Sequence, residues 1–372
     1  MTIGIDARMY GESGNGRYLR NLLIQLRLTD HKNSYVIFCL QKDYDAMRLV
    51  LASDKWKLVV ADFKWYTLSE QLKFPPLLYR EHLDLVHFPH FNVPILYLKK
   101  FIVTIHDLTH FTFTMKRASM HNSFTYYLKH TVYSFVFWYA ITFSRRIFTV
   151  SNYVKKEILK KFNCKASKII VTYEAAEKPL FVSKDEINGT LKRLHIESPY
   201  FLYVGNAHPH KNLEYLLSAF SEFHKTVPVV HLYLVGRENY FWTTLLQWSK
   251  TNSLLYNVSY LGYRSDADLA VLYANALGYV FPSLSEGFGL PALEAMSYGC
   301  PVICSEITSL PEIAGEAALY IDPLIQESLA RAMHTLYSSS DIRLERKKLG
   351  LLQVKKFSWE EMGKLSLAAY TT

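Results

Sequence analysis

Short apolar runs alternate with helical segments along almost the whole chain, and this alternation constrains the fold more than any other feature. Thr2–Asp6 is apolar and β-like, and Gly16–Leu28 follows it with leucines at helical spacing. The same order continues to Ile169–Thr172 and restarts at Tyr200–Val204. Strands that alternate with helices form parallel sheets with right-handed crossovers. The sequence therefore predicts an α/β protein with two successive halves.

The domain boundaries follow from this rhythm. The chain has 372 residues, half of them hydrophobic, which is enough for two cores. Residues 175–199 interrupt the pattern with prolines, a glycine and mixed charge, and we interpret them as a linker. This predicts an N-terminal domain over residues 1–174 and a C-terminal domain over 200–356. Residues 357–372 form a last helix, whose apolar spacing allows packing on either domain.

The composition also excludes several classes of protein. The N-terminus has no basic segment and no long apolar core of a cleavable signal. The longest uncharged aromatic-rich run, Thr131–Ser144, is shorter than the roughly 20 residues of a membrane span. We therefore expect a cytoplasmic protein with reduced thiols, since no C-x-x-C pair occurs among its four cysteines, Cys39, Cys164, Cys300 and Cys304.

The positive charge is concentrated in the first half. Residues 1–174 hold 25 Lys and Arg against 13 Asp and Glu, whereas the remainder holds 17 against 20. The stretch Lys116–Arg146 adds many aromatic residues to basic ones, a combination typical of peripheral contact with a membrane. This predicts docking on the inner face of a membrane, with a core helix that has a solvated flank as the alternative. Nucleic acid is not an expected partner because no recognition motif is present.

Polar residues follow the predicted strands, where parallel sheets bind their ligands. Gly14 and Gly16 follow the first strand at the start of a helix, where backbone N–H groups bind anions or a tight turn is formed. His106 and Asp107 follow Phe101–Ile105, either in a cleft or as an ordinary loop pair. Lys211 lies where another helix begins, so an ammonium group and a positive helix end coincide, as suits a diphosphate. A solvated surface lysine is the alternative there.

The most informative segment is Ser285–Ala295. It carries Glu286 in a glycine-containing loop and Glu294 eight residues later inside a predicted helix. Gly287 and Gly289 free the backbone so that its amides can face a phosphate. A glutamate inside the helix can accept hydrogen bonds from two vicinal hydroxyls, such as those of a ribose. This segment therefore predicts a site for a phosphate and a pair of vicinal hydroxyls.

The Glu-x7-Glu segment resembles the signature of family 4 retaining glycosyltransferases, in their mannosyltransferase-like branch. Thr104–Asp107 resembles the family's histidine-bearing strand end, and Gly205–Leu213 its phosphate segment. Phe357–Trp359 resembles the motif before its last helix. The resemblance implies the GT-B fold, in which two Rossmann-like domains face each other across a cleft. It also implies that the C-terminal helix returns to the N-terminal domain.

The resemblance also implies roles for single residues. His106 would lie beside the transferred sugar and assist transfer, and Glu286 would hold donor-sugar hydroxyls. Glu294 would bind the ribose, and Lys211 the diphosphate. The predicted donor-binding residues are Gly14, Gly16, Asn206, Lys211, Arg237, Gly287, Phe288, Gly289, Leu290 and Glu294.

One departure from the family pattern concerns the positive charge on the diphosphate. The family usually places an arginine where this chain has Asn206 or His210. Either Arg17, Arg237 or a protonated histidine supplies this positive charge to the diphosphate, or the site has one positive charge fewer.

The activity implied is transfer of a hexose, mannose first, from a nucleotide-diphosphate sugar to a glycan or lipid-linked acceptor, with retention of configuration. We expect no metal cofactor, because no Asp-x-Asp triplet occurs and His87 and His90 lack acidic partners. Two alternatives remain open: a non-catalytic subunit of the same fold and a nucleotide-sugar epimerase. A Rossmann oxidoreductase would need a full glycine fingerprint, which is missing.

Overall fold

The computed structural model describes residues 1–12, 14–51, 53–112, 123–254 and 256–371. The chain forms two compact units. The first contains residues 1–108, the segment that ends at Glu174, and the C-terminal segment from Ser358. The second contains a short segment that begins at Thr109, together with Ala175–Phe357.

The first unit is built on a seven-stranded parallel sheet in the order β3-β2-β1-β4-β5-β6-β7. The direction in which strands are added reverses between β1 and β4, so the carboxyl ends of these two strands form the switch point where such sheets bind ligands. The strands are β1 Thr2–Asp6, β2 Ser34–Cys39, β3 Trp56–Val60, β4 Leu85–Phe88, β5 Phe101–Ile105, β6 Arg146–Thr149 and β7 Ile169–Val171. The helices in this part of the chain are α1 Gly14–Thr29, α2 Tyr44–Leu51, α3 Leu68–Arg80, α4 Thr109–Thr112, α5 Ser123–Phe143 and α6 Asn152–Lys161.

The second unit is built on a six-stranded parallel sheet in the order β10-β9-β8-β11-β12-β13. Its switch point lies between β8 and β11. The strands are β8 Tyr200–Val204, β9 His231–Val235, β10 Val258–Gly262, β11 Gly278–Phe281, β12 Val302–Ser305 and β13 Ala318–Ile321. The helices are α7 Lys184–Arg193, α8 Leu213–Thr226, α9 Tyr240–Thr251, α10 Asp266–Asn275, α11 Leu290–Ser297, α12 Leu310–Ala314, α13 Gln326–Ser338 and α14 Ser340–Val354.

Burial follows the sequence pattern, which confirms the predicted α/β class. The central strands are apolar on both faces and almost wholly buried, as expected for parallel sheets covered by helices. In α1 the buried leucines are Leu19, Leu22, Leu23 and Leu26. Ser151 caps α6 as predicted, accepting a hydrogen bond from the backbone N–H of Val154.

A helix lies within the segment that we interpreted as a linker. The side chain of Ser183 accepts from the backbone N–H of Glu186, whose side chain accepts from the backbone of Ser183, forming a capping box for α7. Arg193 at the end of α7 forms an ion pair with Asp268 of α10. Residues Ala175–Phe357 belong to the second unit, and the interruption in the pattern reflects a short polar helix.

The last helix, α15 Trp359–Thr371, belongs to the first unit. It packs along α1, and Tyr370 reaches the sheet, where its hydroxyl lies 2.6 Å from Nδ1 of His87 on β4. Nε2 of His87 lies 2.8 Å from the hydroxyl of Thr104 on β5. Burial lowers the pKa of His87 to about 3, with the nearby His106 contributing further, so this histidine is a neutral structural link.

Part of the predicted membrane segment lies outside the described residues. Residues 113–122, which include the start of the segment Lys116–Arg146, are not described, and neither are the side chains of residues 123–129. Among the described helices, α5 included, none combines the length and the apolar character that a membrane span requires.

Candidate active site

The loop that follows β8 holds the first group of predicted site residues. Gly205 continues the ladder by donating its backbone N–H to the carbonyl of Val235 at 2.9 Å. The carbonyl of Asn206 accepts from the hydroxyl of Tyr203 at 2.7 Å, and its side chain accepts from the backbone N–H of His208. Asn206 therefore shapes the turn, and its amide supplies no positive charge.

Lys211 and Glu286 meet in the second unit. The chain forms one 3₁₀ turn, Pro209–Lys211, before Asn212 adopts a left-handed conformation and α8 begins. Nζ of Lys211 lies 2.6 Å from Oε1 of Glu286, and both side chains are nearly buried, 12% and 11% exposed. The backbone N–H of Leu284 donates to the carbonyl of His210 at 2.7 Å, joining the two loops. The structure thus brings together the residue predicted to bind the diphosphate and the residue predicted to bind the donor sugar.

The loop from Glu286 to Leu290 is held in place by a buried serine. Oγ of Ser309 lies 3.1 Å from the carbonyl of Glu286 and 2.9 Å from that of Phe288. Gly289 has a φ of +105°, a conformation that disfavours any side chain, and a Cβ there would lie 2.7 Å from Cδ2 of Leu310. These constraints fix the backbone, including Gly287, at the N-terminus of α11.

Glu294 lies one turn inside α11, with the adjacent apolar positions of the helix buried. Its own side chain is half-buried. Glu286 and Glu294 therefore belong to one rigid loop-and-helix element, as the spacing predicted.

Arg237 is a structural candidate in this unit for the second positive charge. Arg237 follows β9, next to β8 in the sheet, and is exposed, with its guanidinium 5.6 Å from the ring centroid of Tyr263. A protonated His208 is disfavoured, because burial lowers its pKa and the charges of Lys211 and His110 lower it further. Arg237 does not contact Lys211 or Glu286 in this arrangement, although it follows a neighbouring strand end.

Gly14 and Gly16 lie at the start of α1 in the first unit. A Cβ on Gly14 would meet no atom within 4 Å, whereas one on Gly16 would lie 2.7 Å from the carbonyl of Tyr10. Gly16 is therefore required by the close approach of the preceding loop, and Gly14 is not. Ser13, which lies in the same predicted loop, is outside the described residues.

His106 follows β5 and is held on three sides. Its Nε2 lies 2.9 Å from the carbonyl of Pro89, and its Nδ1 lies 3.3 Å from Oε1 of Glu174. The ring of Tyr18 on α1 packs edge-on, with centroids 4.8 Å apart. Both ring nitrogens therefore face oxygen atoms of the protein.

Sequence reasoning missed two groups in the first unit. One is Glu174, which follows β7. The other is a buried network in which Arg8 pairs with Asp6 at 2.7 Å and with Glu70 at 2.6 Å. Glu174 follows β7 and Arg8 follows β1, at the same sheet edge as His106, so the rule that polar residues after strands mark sites applied to these two as well, whereas Glu70 lies in α3. The network borders a small pocket lined by Asp6, Arg8, Met9, Asn15, Leu19, Trp65, Pro89, His90 and Asn92.

Two models of known protein families match this chain, one in each half. The Glycosyltransferase Family 4 model matches residues 13–176, and the Glycosyl transferases group 1 model matches residues 192–350. O-antigen chain mannosyltransferase B of Escherichia coli is 33% identical over 301 residues, 78% of this chain and 75% of that protein. The chain belongs to glycosyltransferase family 4. This membership confirms the predicted class of enzyme, a hexosyltransferase.

Further relatives support the same family assignment. O-antigen chain mannosyltransferase RfbU of Salmonella typhimurium is 29% identical to this glycosyltransferase over 280 residues, 74% of this chain and 71% of that protein.

Solved structures establish the fold. Sucrose-phosphate synthase of Thermosynechococcus elongatus matches with a TM-score of 0.79 and 19% identity, covering 100% of this chain and 98% of that one. HepE of Anabaena in complex with UDP-glucose matches with a TM-score of 0.78 and 15% identity, covering each chain completely. The glycosyltransferase thus has the predicted GT-B fold.

Within the described parts of this glycosyltransferase, no group of three or more His, Cys, Asp or Glu side chains is arranged to hold a metal ion. The charged groups near the second-unit site are instead the Lys211 ammonium and the Glu286 carboxylate.

Proposed function

We propose that this glycosyltransferase moves mannose from GDP-mannose to a glycan or lipid-linked acceptor of surface polysaccharide synthesis, with retention of configuration. The proposal rests on one observation above all: Lys211 and Glu286 meet at 2.6 Å beside the N-terminus of α11. Two relatives with the words O-antigen chain mannosyltransferase in their names favour mannose and this class of acceptor.

The site chemistry suits departure of a nucleoside diphosphate. As the bond to the sugar breaks, negative charge builds on the β-phosphate. The ammonium of Lys211 and the backbone of the loop Gly287–Leu290 are held in place before the reaction, and the ammonium and the loop N–H groups would stabilise that charge. Glu286 would then hold donor-sugar hydroxyls and Glu294 the ribose. A protein cation in this position supports transfer without a divalent metal ion.

The acceptor would bind to the first unit. The pocket beside Asp6 and Arg8 combines an aromatic ring, Trp65, with amide groups of Asn15 and Asn92. Flat aromatic faces and fixed polar groups together bind the apolar and hydroxyl faces of a sugar. The carbonyl of Pro89, which lines this pocket, also accepts from His106.

Donor choice is tested by thermal unfolding and by turnover with a panel of nucleotide sugars. We expect GDP-mannose to raise the unfolding temperature, since a ligand that binds the native state stabilises it. Glu294→Ala should abolish the shift, and Lys211→Ala should lower kcat by about a hundredfold or more, as loss of a charge-stabilising group does. Transfer should continue in EDTA.

The control for these variants is Glu222→Ala, which removes an exposed carboxylate of α8. An undiminished shift in Glu294→Ala would refute the ribose contact. Analysis of the products separates the alternatives, because an epimerase releases an altered nucleotide sugar and a binding subunit releases no GDP. Loss of transfer in EDTA would refute metal independence.

We also propose that the first unit docks on an anionic membrane surface. The exposed aromatic patch of α5 consists of Phe135, Trp138 and Phe143. The ring centroid of Trp138 lies 5.8 Å from that of Phe135 and 5.9 Å from that of Phe143. The backbone N–H of Arg145 donates to the carbonyl of Phe101, which places exposed Arg145 next to exposed Lys99 and Lys100. Exposed aromatic side chains beside basic ones are complementary to the acyl and phosphate layers of an anionic bilayer.

A further inference from the structure

Glu174 is a nearly buried carboxylate that no motif assigns. It follows β7, at the same sheet edge as His106 after β5, with β6 between them. Its side chain is 9% exposed and that of His106 is 11% exposed. A carboxylate in such a position is costly unless it is paired, and Oε1 faces Nδ1 of the imidazole at 3.3 Å. The pairing therefore accounts for a buried charge in the first unit.

The other ring nitrogen determines the chemistry of this contact. A backbone carbonyl can only accept, so Nε2 of His106 donates its hydrogen to Pro89 at 2.9 Å. Nδ1, the other nitrogen of the ring, then faces Oε1 of Glu174 at 3.3 Å. Tyr18 closes a third side of the ring. Rotation of the imidazole would break contacts on opposite sides at once.

We propose that Glu174 is a positioning residue for glycosyl transfer: its carboxylate and the carbonyl of Pro89 clamp the imidazole of His106 in one orientation. The effect on transfer rests on the proposed function, in which His106 lies beside the transferred sugar. A ring that is fixed before substrate binds needs no reorganisation during the reaction, and a displacement of about 1 Å in a reacting site costs about a hundredfold in rate.

Glu174→Gln provides the sharpest test because it keeps the shape and removes the charge. Its amide can donate to Nδ1, so the ring stays in place while the carboxylate that faces Nδ1 is replaced. In protein labelled with ¹⁵N-histidine and assigned with His106→Gln, we expect the Nδ1 resonance of His106 to change and the Nε2 resonance to stay. An Nδ1 resonance identical to that of the wild type would overturn the proposal.

Kinetics then separate positioning from a merely structural role. Glu174→Ala should lower kcat by about tenfold to a hundredfold and leave the donor KM unchanged, since donor binding uses other residues, whereas Glu174→Gln, whose amide keeps the ring in place, should lower kcat less. Glu174→Asp, which retains a carboxylate, should recover part of the loss. The matched control is Glu157→Gln on α6 of the same unit.

The outcomes also distinguish this proposal from the proposed function. The resonance measurement needs no substrate, so it decides the contact even if the wild type turns over no nucleotide sugar, which would refute the function instead. A changed resonance with wild-type kcat in all three Glu174 variants would overturn the positioning role.

Discussion

Lys211 and Glu286 illustrate how far single residues can be interpreted from sequence. Their positions in the sequence and the family resemblance indicated that Lys211 binds a diphosphate and Glu286 a sugar. In the structure, Nζ of Lys211 lies 2.6 Å from Oε1 of Glu286. An incoming diphosphate would compete with Glu286 for the ammonium of Lys211. The sequence could not reveal this pairing, since it depends on the buried hydroxyl of Ser309 and on the backbone contact between Leu284 and His210.

The missing arginine leads to a prediction about Arg237. Arg237 follows β9, which is next to β8 in the sheet, and the segment Gly205–Leu213 that resembles the family's phosphate segment follows β8. Arg237 is therefore placed at a strand end adjacent to that segment. We expect Arg237→Ala to raise the donor KM about tenfold, because a hydrogen bond to a charged group contributes about 1.5–3 kcal/mol. Steady-state kinetics with varied donor would measure this.

The matched control is Lys250→Ala, which removes an exposed cation at the other end of α9. An unchanged KM in Arg237→Ala would mean that a single fixed cation suffices for the diphosphate.

At the scale of elements, strands were easier to predict than polar helices. Runs such as Phe101–Ile105 and Tyr200–Val204 coincide with β5 and β8, because burial on both faces leaves an uninterrupted apolar run. The helix α7 was missed because no face of it is buried, although its capping box, Ser183 and Glu186, was visible in the sequence. The apolar stripe of α15 did not specify the surface that covers it, and only the family resemblance indicated the first unit.

The link between α15 and the sheet predicts a dependence of stability on pH. The folded state holds the pKa of His87 at about 3, below the ordinary value of 6.5, so the unfolded chain binds the proton more readily. The contribution of neutral His87 to the free energy of unfolding is complete above about pH 6.5 and is lost as the pH falls towards 3. At about 1.4 kcal/mol per pH unit, the loss amounts to a few kcal/mol. We expect His87→Gln to weaken this dependence in denaturant unfolding curves.

Carboxylates also contribute to acid unfolding, so the informative quantity is the difference between variant and wild type. His31→Gln, which changes an exposed histidine in the same unit, serves as the control. Parallel pH profiles for wild type and His87→Gln would show that His87 is not held neutral.

At the scale of the whole molecule, charge and aromatic exposure coincide in the first unit. Residues 1–174 carry the excess of Lys and Arg, and the exposed aromatic patch of α5 lies in the same part of the chain. Composition indicated an anionic partner, but it could not specify which aromatic side chains are exposed. Tyr139, for example, lies in the same helix and is buried.

The membrane proposal predicts co-sedimentation with vesicles that contain anionic lipid. We expect binding to exceed that to neutral vesicles and to weaken with salt, since basic side chains near an anionic surface contribute about 1 kcal/mol each. The double variant Phe135→Ser with Trp138→Ser should bind several-fold less, because it removes the apolar contact.

Tyr256→Ser, an exposed aromatic residue of the second unit, is the control. Equal sedimentation with neutral and anionic vesicles would refute the proposed docking.

The C-terminal helix also bears on synthesis of the protein. The chain leaves the first unit at Ala175 and supplies that unit again only from Ser358 onward. On the ribosome, His87 therefore remains without its Tyr370 partner until the entire second unit has been translated. The earliest-made half of the enzyme is the last to be completed, and until then the surface that α15 later covers is available to chaperones.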